Sequence, residues 1–198
     1  MALILDGAGI ITGLQAGGLP DNSITSTELA NDAVTTAKIA DNAVTSAKYV
    51  ISVARITDSK TSGTNGGTFT SGAWRTRDLN SIEDDPDSIV TLSSNQFTLG
   101  AGTYLIQWSA PAYKVEHHKT QLYDVTGATD LAKGTSEYNA TGSSIQTISV
   151  GFDVVTLTAN NTFEIQHRCH TTASSNGLGV CASFAAEKYA MVTIFKLS

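Results

Sequence analysis

Between Ile24 and Tyr49 the chain repeats itself every ten residues, as ITSTELANDA, VTTAKIADNA and then VTSAKY. Each unit opens on a β-branched residue followed by Thr (Ile24-Thr25, Val34-Thr35, Val44-Thr45), and a large apolar residue follows five positions on, at Leu29, Ile39 and Tyr49. A five-residue step turns about 140° around an α-helix, so these apolar side chains would scatter over every face of one straight helix. In a strand, an odd step sends successive apolar residues to opposite faces. The spacing instead predicts short helical turns, each restarted. Thr25, Thr35 and Thr45 serve as N-caps, Thr25 with Glu28 has capping-box spacing, and Asn31-Asp32 and Asp41-Asn42 tolerate the left-handed turn conformation. Such turns are too short to stand alone in water. Ile24, Leu29, Val34, Ile39, Val44 and Tyr49 are therefore the expected core of a shaft built from several copies of the chain.

Residues 1–20 place Leu3, Ile4, Leu5, Ile10 and Ile11 among glycines and end in Gly17-Gly18-Leu19-Pro20. The segment is too Gly-rich for a helix, and its apolar residues are costly to leave in water, so it reads as an extended docking peptide with a hinge. From residue 50 onward short β runs take over, separated by turn signals about every ten residues. Tyr104, Ile106 and Trp108 share a face, as do Ile148, Val150, Phe152 and Val154. The run Tyr189 to Leu197 is apolar on both faces and reads as a central strand covered on both sides. The expected fold is all-β, a sandwich or jelly roll, with domains at 1–20, 21–49 and 50–198.

The 198 residues carry a net charge of −6 with no long Lys/Arg cluster, which argues against a nucleic-acid partner. No apolar run is long enough to cross a bilayer, so no membrane insertion is expected, and the opening MALILDGAG lacks the positive n-region of a signal peptide. Two cysteines, Cys169 and Cys181, are too few for a disulfide framework and read as buried thiols, with a single bridge as the alternative. The sequons at Asn139 and Asn160 read as ordinary loop residues.

The segment Phe97-Thr98-Leu99-Gly100-Ala101-Gly102-Thr103-Tyr104-Leu105-Ile106 resembles the strand pair of the C1q/TNF-type trimeric jelly roll, and Tyr189 to Leu197 resembles that family's closing strand. The ten-residue repeat and the MALILDG opening are similar to those of bacteriophage tail and head fibre proteins. The resemblance implies a homotrimer located in the virion, docked on a capsid or tail protein by its N-terminus, with a thin shaft and an outward knob for host attachment. A collagen-like stalk is absent. A capsid decoration protein without receptor recognition, and a secreted C1q-like lectin or adhesin, are the alternatives.

Chemistry is sparse. Glu83-Asp84-Asp85-Pro86-Asp87 lacks the alternating spacing of a calcium loop and reads as a solvated turn, unless copies converge on a cation at a threefold axis. On a strand, His167 and Cys169 share one face while His170 points away, too few ligands for a closed zinc site; His117-His118 offer less. No nucleophile elbow, positioned acid pair or phosphate-binding loop occurs, so neither an enzyme nor a cofactor is expected. Trp74, Tyr113, Tyr123 and Tyr138 are the candidates for a glycan platform, because aromatic faces stack on sugar rings.

Overall fold

The computed structural model describes residues 4–5, 11–12, 34–35, 39 and 51–198. The chain divides into two compact units, Met1–Val50 and Ile51–Ser198. In the first, β1 (Ile4–Leu5) pairs antiparallel with β2 (Ile11–Thr12), so these positions form a two-stranded ribbon rather than a single extended peptide. Val34 and Ile39 are exposed in the single chain. The other shaft and docking positions, Leu3, Ile10, Ile24, Leu29, Val44 and Tyr49, lie outside the described residues.

The second unit is a two-layer sandwich made of antiparallel strands. These are β3 (Ser52–Lys60), β4 (Arg75–Thr76), β5 (Ser81–Asp84), β6 (Val90–Ser93), β7 (Gln96–Leu99), β8 (Gly102–Tyr113), β9 (Glu116–Asp124), β10 (Thr129–Asn139), β11 (Gln146–Leu157), β12 (Asn161–Cys169) and β13 (Glu187–Lys196). One sheet has the order β10-β9-β12-β7-β6, with β4 added on β12, and the other runs β11-β8-β13-β3-β5. Consecutive strands β8 and β9 belong to different sheets. Lys114 and Glu116, at φ 56° and 61°, make the corner between them.

Alternation builds the core. Tyr104, Ile106 and Trp108 of β8, Val192 and Ile194 of β13, and Ala54 and Ile56 of β3 point inward against Phe97, Leu99, Leu122, Phe163 and Ile165 of the opposite sheet. A second cluster under the long 61–74 and 170–186 connections packs Phe69, Ala112, Val115 and Cys169. Between the layers, Trp108 Nε1 donates to Thr120 Oγ1 at 2.8 Å, so the largest core side chain satisfies its one polar group.

β13 is central, between β8 and β3. Ala190, Val192 and Ile194 are buried, but Met191 is exposed and Phe195 only half-buried, so within one chain the outer face is not covered. Of Trp74 to Leu79 only the two-residue β4 is a strand, after which Arg77 and Leu79 turn inward. The run from Gly179 to Phe184 is irregular.

Candidate functional site

Two surfaces of the sandwich differ from an ordinary solvated exterior. The first is the outer face of the five-stranded sheet. Along β11 the usual pattern is inverted: Ile148, Val150, Phe152 and Val154 are exposed, Phe152 by 70%, while Ser149 and Gly151 face inward. Gly151 is required there, because a Cβ would stand 2.2 Å from Trp108 Cζ2. Ser149 Oγ lies 2.8 Å from Thr120 Oγ1 and donates to Thr135 O, also at 2.8 Å. The register sets Val154 beside Leu105, Phe195 and Val53, and Phe152 beside Gln107, Thr193 and Arg55, so the apolar stripe continues across four strands.

The second surface is a groove of about 490 Å³ on the outer face of the six-stranded sheet. Register aligns Ser136, Lys119 and Arg168 in one row, and Tyr138 with His117 in the next, where His170 N donates to His117 O at 2.8 Å. The His117 ring stands 4.9 Å from that of Tyr138 and 6.1 Å from that of His170. β4 pairs through Arg75 and Thr76 with His167 and Gln166, which lays Trp74 along the groove wall. Lys133 Nζ sits 4.9 Å from the Trp74 ring centre, a cation–π contact.

Of the four glycan candidates, Trp74 lines this groove and Tyr138 packs at a tilt against its His117 without lining the groove itself. Tyr113 ends β8 under Lys114 Nζ, 5.2 Å from its ring, and Tyr123 sits further along β9 between Asp130 and Glu164; neither lines the groove.

Beneath the groove lies a feature that reading the two His-rich segments separately missed. His118 is buried, and its Nδ1 lies 2.9 Å from Nε2 of buried His167, while its Nε2 lies 2.7 Å from Thr147 Oγ1. Burial, with the charge of Arg77 nearby, pushes His118 down to about 4 and His167 well below the ordinary imidazole range. Arg77 itself is fully enclosed, lowered to about 10 by burial, and donates to the carbonyls of Pro111 at 3.2 Å and Leu178 at 3.0 Å.

His167 and Cys169 share the inward face as expected. Burial raises the Cys169 thiol to about 11, and both cysteines are free, Cys181 being only partly buried. Among the described residues no group of three or more His, Cys, Asp or Glu side chains is placed to hold a metal. The acidic run is not a plain solvated turn. Glu83 pairs with Lys188 and is held down to about 2, chiefly by that hydrogen bond, while the Asp85 carboxylate accepts from the amides of Ile89 at 2.8 Å and Val90 at 3.1 Å. Asn139 is also no ordinary loop residue. It ends β10, is buried, and bridges Val115 N, Ala112 O and Thr147 Oγ1.

No family model and no curated protein sequence matches the chain. Solved structures do. An Eiger TNF from S. frugiperda aligns with a TM-score of 0.51 at 13% identity over 76% of this chain and 94% of its own. Murine APRIL at pH 5.0 aligns at 0.50 with 8% identity over 75% and 100%. The globular domain of a zebrafish complement 1qA protein aligns at 0.48 with 15% identity over 74% and 98%.

These similarities correct the virion reading. The structures that align at a TM-score of 0.50 or more are an APRIL and an Eiger TNF, not components of a virus particle. Virion location, bacteriophage host attachment, and docking on a capsid or tail through Leu3, Ile4, Leu5, Ile10 and Ile11 are withdrawn. Residues 51–198 adopt the C1q/TNF-like jelly-roll fold, an all-β sandwich without a catalytic metal site among the described residues.

Proposed function

We propose that the chain is a homotrimeric, extracellular, non-enzymatic binding protein of the lectin or adhesin type. Its jelly roll is the binding head, and the outer face of the five-stranded sheet is the contact between subunits. The observation that carries this reading is the inverted strand β11. Placing Ile148, Val150, Phe152 and Val154 outward, over an inward Ser149 and Gly151, costs apolar exposure in a monomer and is repaid only by a partner surface. The half-buried Leu105, Phe195 and Val53 extend the same surface, giving the apolar centre expected of an obligate interface.

The ten-residue repeat fits the same assembly as a shaft of restarted turns. Ile24, Leu29, Val34, Ile39, Val44 and Tyr49 meet their counterparts there, and residues 1–20, 21–49 and 50–198 act as tail, shaft and head. Three linked heads raise a weak single-site affinity through effective concentration, the usual need of a surface adhesin.

The test is retention of the labelled full chain on cells or on immobilised surface glycans. Retention by the wild type, lost when Phe152→Asp separates the subunits, supports the reading. A chain that is monomeric and held by no surface refutes it.

A further inference from the structure

We infer that the groove between Trp74, His117, Lys119, Glu137, Arg168 and His170 binds an acidic saccharide, a sugar ring bearing a carboxylate or sulfate. This assignment rests on the adhesive reading above and gives it a ligand class. Lys119 and Arg168 are direct cross-strand partners, on neighbouring strands β9 and β12. Like charges directly opposite each other destabilise a sheet. Among the described residues neither cation has a carboxylate ion-pair partner; Arg55, Arg75, Lys114 and Lys196 share that condition, but Lys119 and Arg168 are set directly opposite each other. In a chain of net charge −6, with carboxylates to spare, two opposed and unpaired cations form a local site whose cost an incoming anion relieves.

The surroundings select a sugar over other anions. Trp74 is half-buried along the wall, held by the pairing of β4 on β12, and its indole is of the size of a pyranose ring, with Lys133 Nζ 4.9 Å from the ring centre on one side. Tyr138 and His117 add a second aromatic pair, with ring centres 4.9 Å apart. Glu137 borders the groove, but its side chain lies on the face of β10 shared with Thr135 and buried Asn139, where it accepts from Thr135 Oγ1 at 2.8 Å and leaves the two cations unopposed. An acidic peptide would use the two cations without needing the indole. A volume of about 490 Å³ suits one or two sugar rings. The groove lies on the six-stranded sheet, while the apolar stripe belongs to the five-stranded one, so ligand binding and subunit contact use different sheets.

The experiment titrates the full chain calorimetrically with sialylated, glucuronate-bearing and sulfated oligosaccharides, with neutral lactose and with a poly-glutamate peptide. At least one acidic oligosaccharide is expected to bind, and lactose is not. Arg168→Gln and Trp74→Ala are each expected to weaken the acidic saccharide about tenfold or more, with circular dichroism and assembly mass unchanged. A second readout needs no ligand: Arg168→Gln removes the opposed cation and is expected to raise Tm by about one or two degrees.

Acidic saccharide binding that survives both substitutions overturns the groove and leaves the adhesive reading standing. Equal affinity for lactose overturns the anionic class. Poly-glutamate binding as tight as the best saccharide and indifferent to Trp74→Ala assigns the cations to a peptide instead. Retention on cells with no saccharide bound in solution overturns this inference alone, whereas a monomer held by no surface overturns the reading beneath it.

Discussion

Phe152→Asp tests the inverted strand directly. The ring is 70% exposed in the single chain, and full burial of such a side chain is worth about 1.5 to 3 kcal/mol. Hiding the exposed share in a subunit contact is thus worth about 1 to 2 kcal/mol per chain, or about 3 to 6 kcal/mol for three equivalent copies. At about 1.4 kcal/mol per decade this corresponds to two to four decades in the association constant, before the desolvation of three carboxylates is added. The fold should be unaffected, because Phe152 points away from Trp108 and the core while its neighbour Gly151 makes the close approach. Sedimentation equilibrium at micromolar concentration is the assay, with near-ultraviolet dichroism of Trp108 and Trp74 as the control for folding. A variant that folds like the wild type and sediments at the monomer mass is the expected result. If the variant keeps the wild-type assembly at all concentrations, the apolar face of β11 is not the contact and the reasoning from its inversion is wrong.

Stability should fall with acid, because the buried His118–His167 pair is neutral in the folded state. Its facing nitrogens, 2.9 Å apart, cannot both carry hydrogen, so charging both rings sets two N–H groups head to head. The unfolded chain takes up protons near pH 6.5, but folded His118 only near pH 4, so stability present above pH 6.5 drains away as pH drops toward 4. The loss is on the order of 3 kcal/mol for His118, read as a falling urea midpoint, and a midpoint flat across that window would contradict the pairing. Asn139→Ala strips Val115 N of its acceptor and Ala112 O of its donor in a buried corner, and should cost about 2 to 4 kcal/mol by denaturant titration. Alkylation of the native protein should modify Cys181 quickly and Cys169 only on unfolding, since Cys169 is buried with its thiol raised to about 11; two fast thiols by mass spectrometry would contradict that placement.

Strands whose alternation carries large apolar residues were legible from the letters. Tyr104, Ile106 and Trp108 share the buried face that their spacing implies, and Tyr189 to Leu197 gives the central strand β13. Period alone does not say whether a face looks in or out. Ile148, Val150, Phe152 and Val154 share a face as expected, but the inward position goes to Ser149 and Gly151, because the Trp108 indole and the Thr120 hydroxyl occupy the space a larger side chain would need. β10 escaped the reading altogether. Its sequence, TDLAKGTSEYN, lacks apolar alternation because the strand lies at the sheet edge with most of its residues exposed.

The candidate site was half visible. Trp74 and Tyr138 could be picked as aromatics near loops, but the union of Lys119 with Arg168, and of His118 with His167, depends on the register of β9 against β12 across 49 residues of sequence. Arg77 was unreadable for a related reason. Its guanidinium is buried by carbonyls from Pro111 and Leu178, 34 and 101 residues away, which no local pattern announces.

The mass of the assembly in solution decides whether the outward face of β11 joins three chains. Native mass spectrometry of the full chain at micromolar concentration should give about 62 kDa, three times the 20.7 kDa chain, with no appreciable monomer. A stable 20.7 kDa monomer that keeps its fold would leave the outward apolar face of β11 without a purpose and contradict the trimeric head.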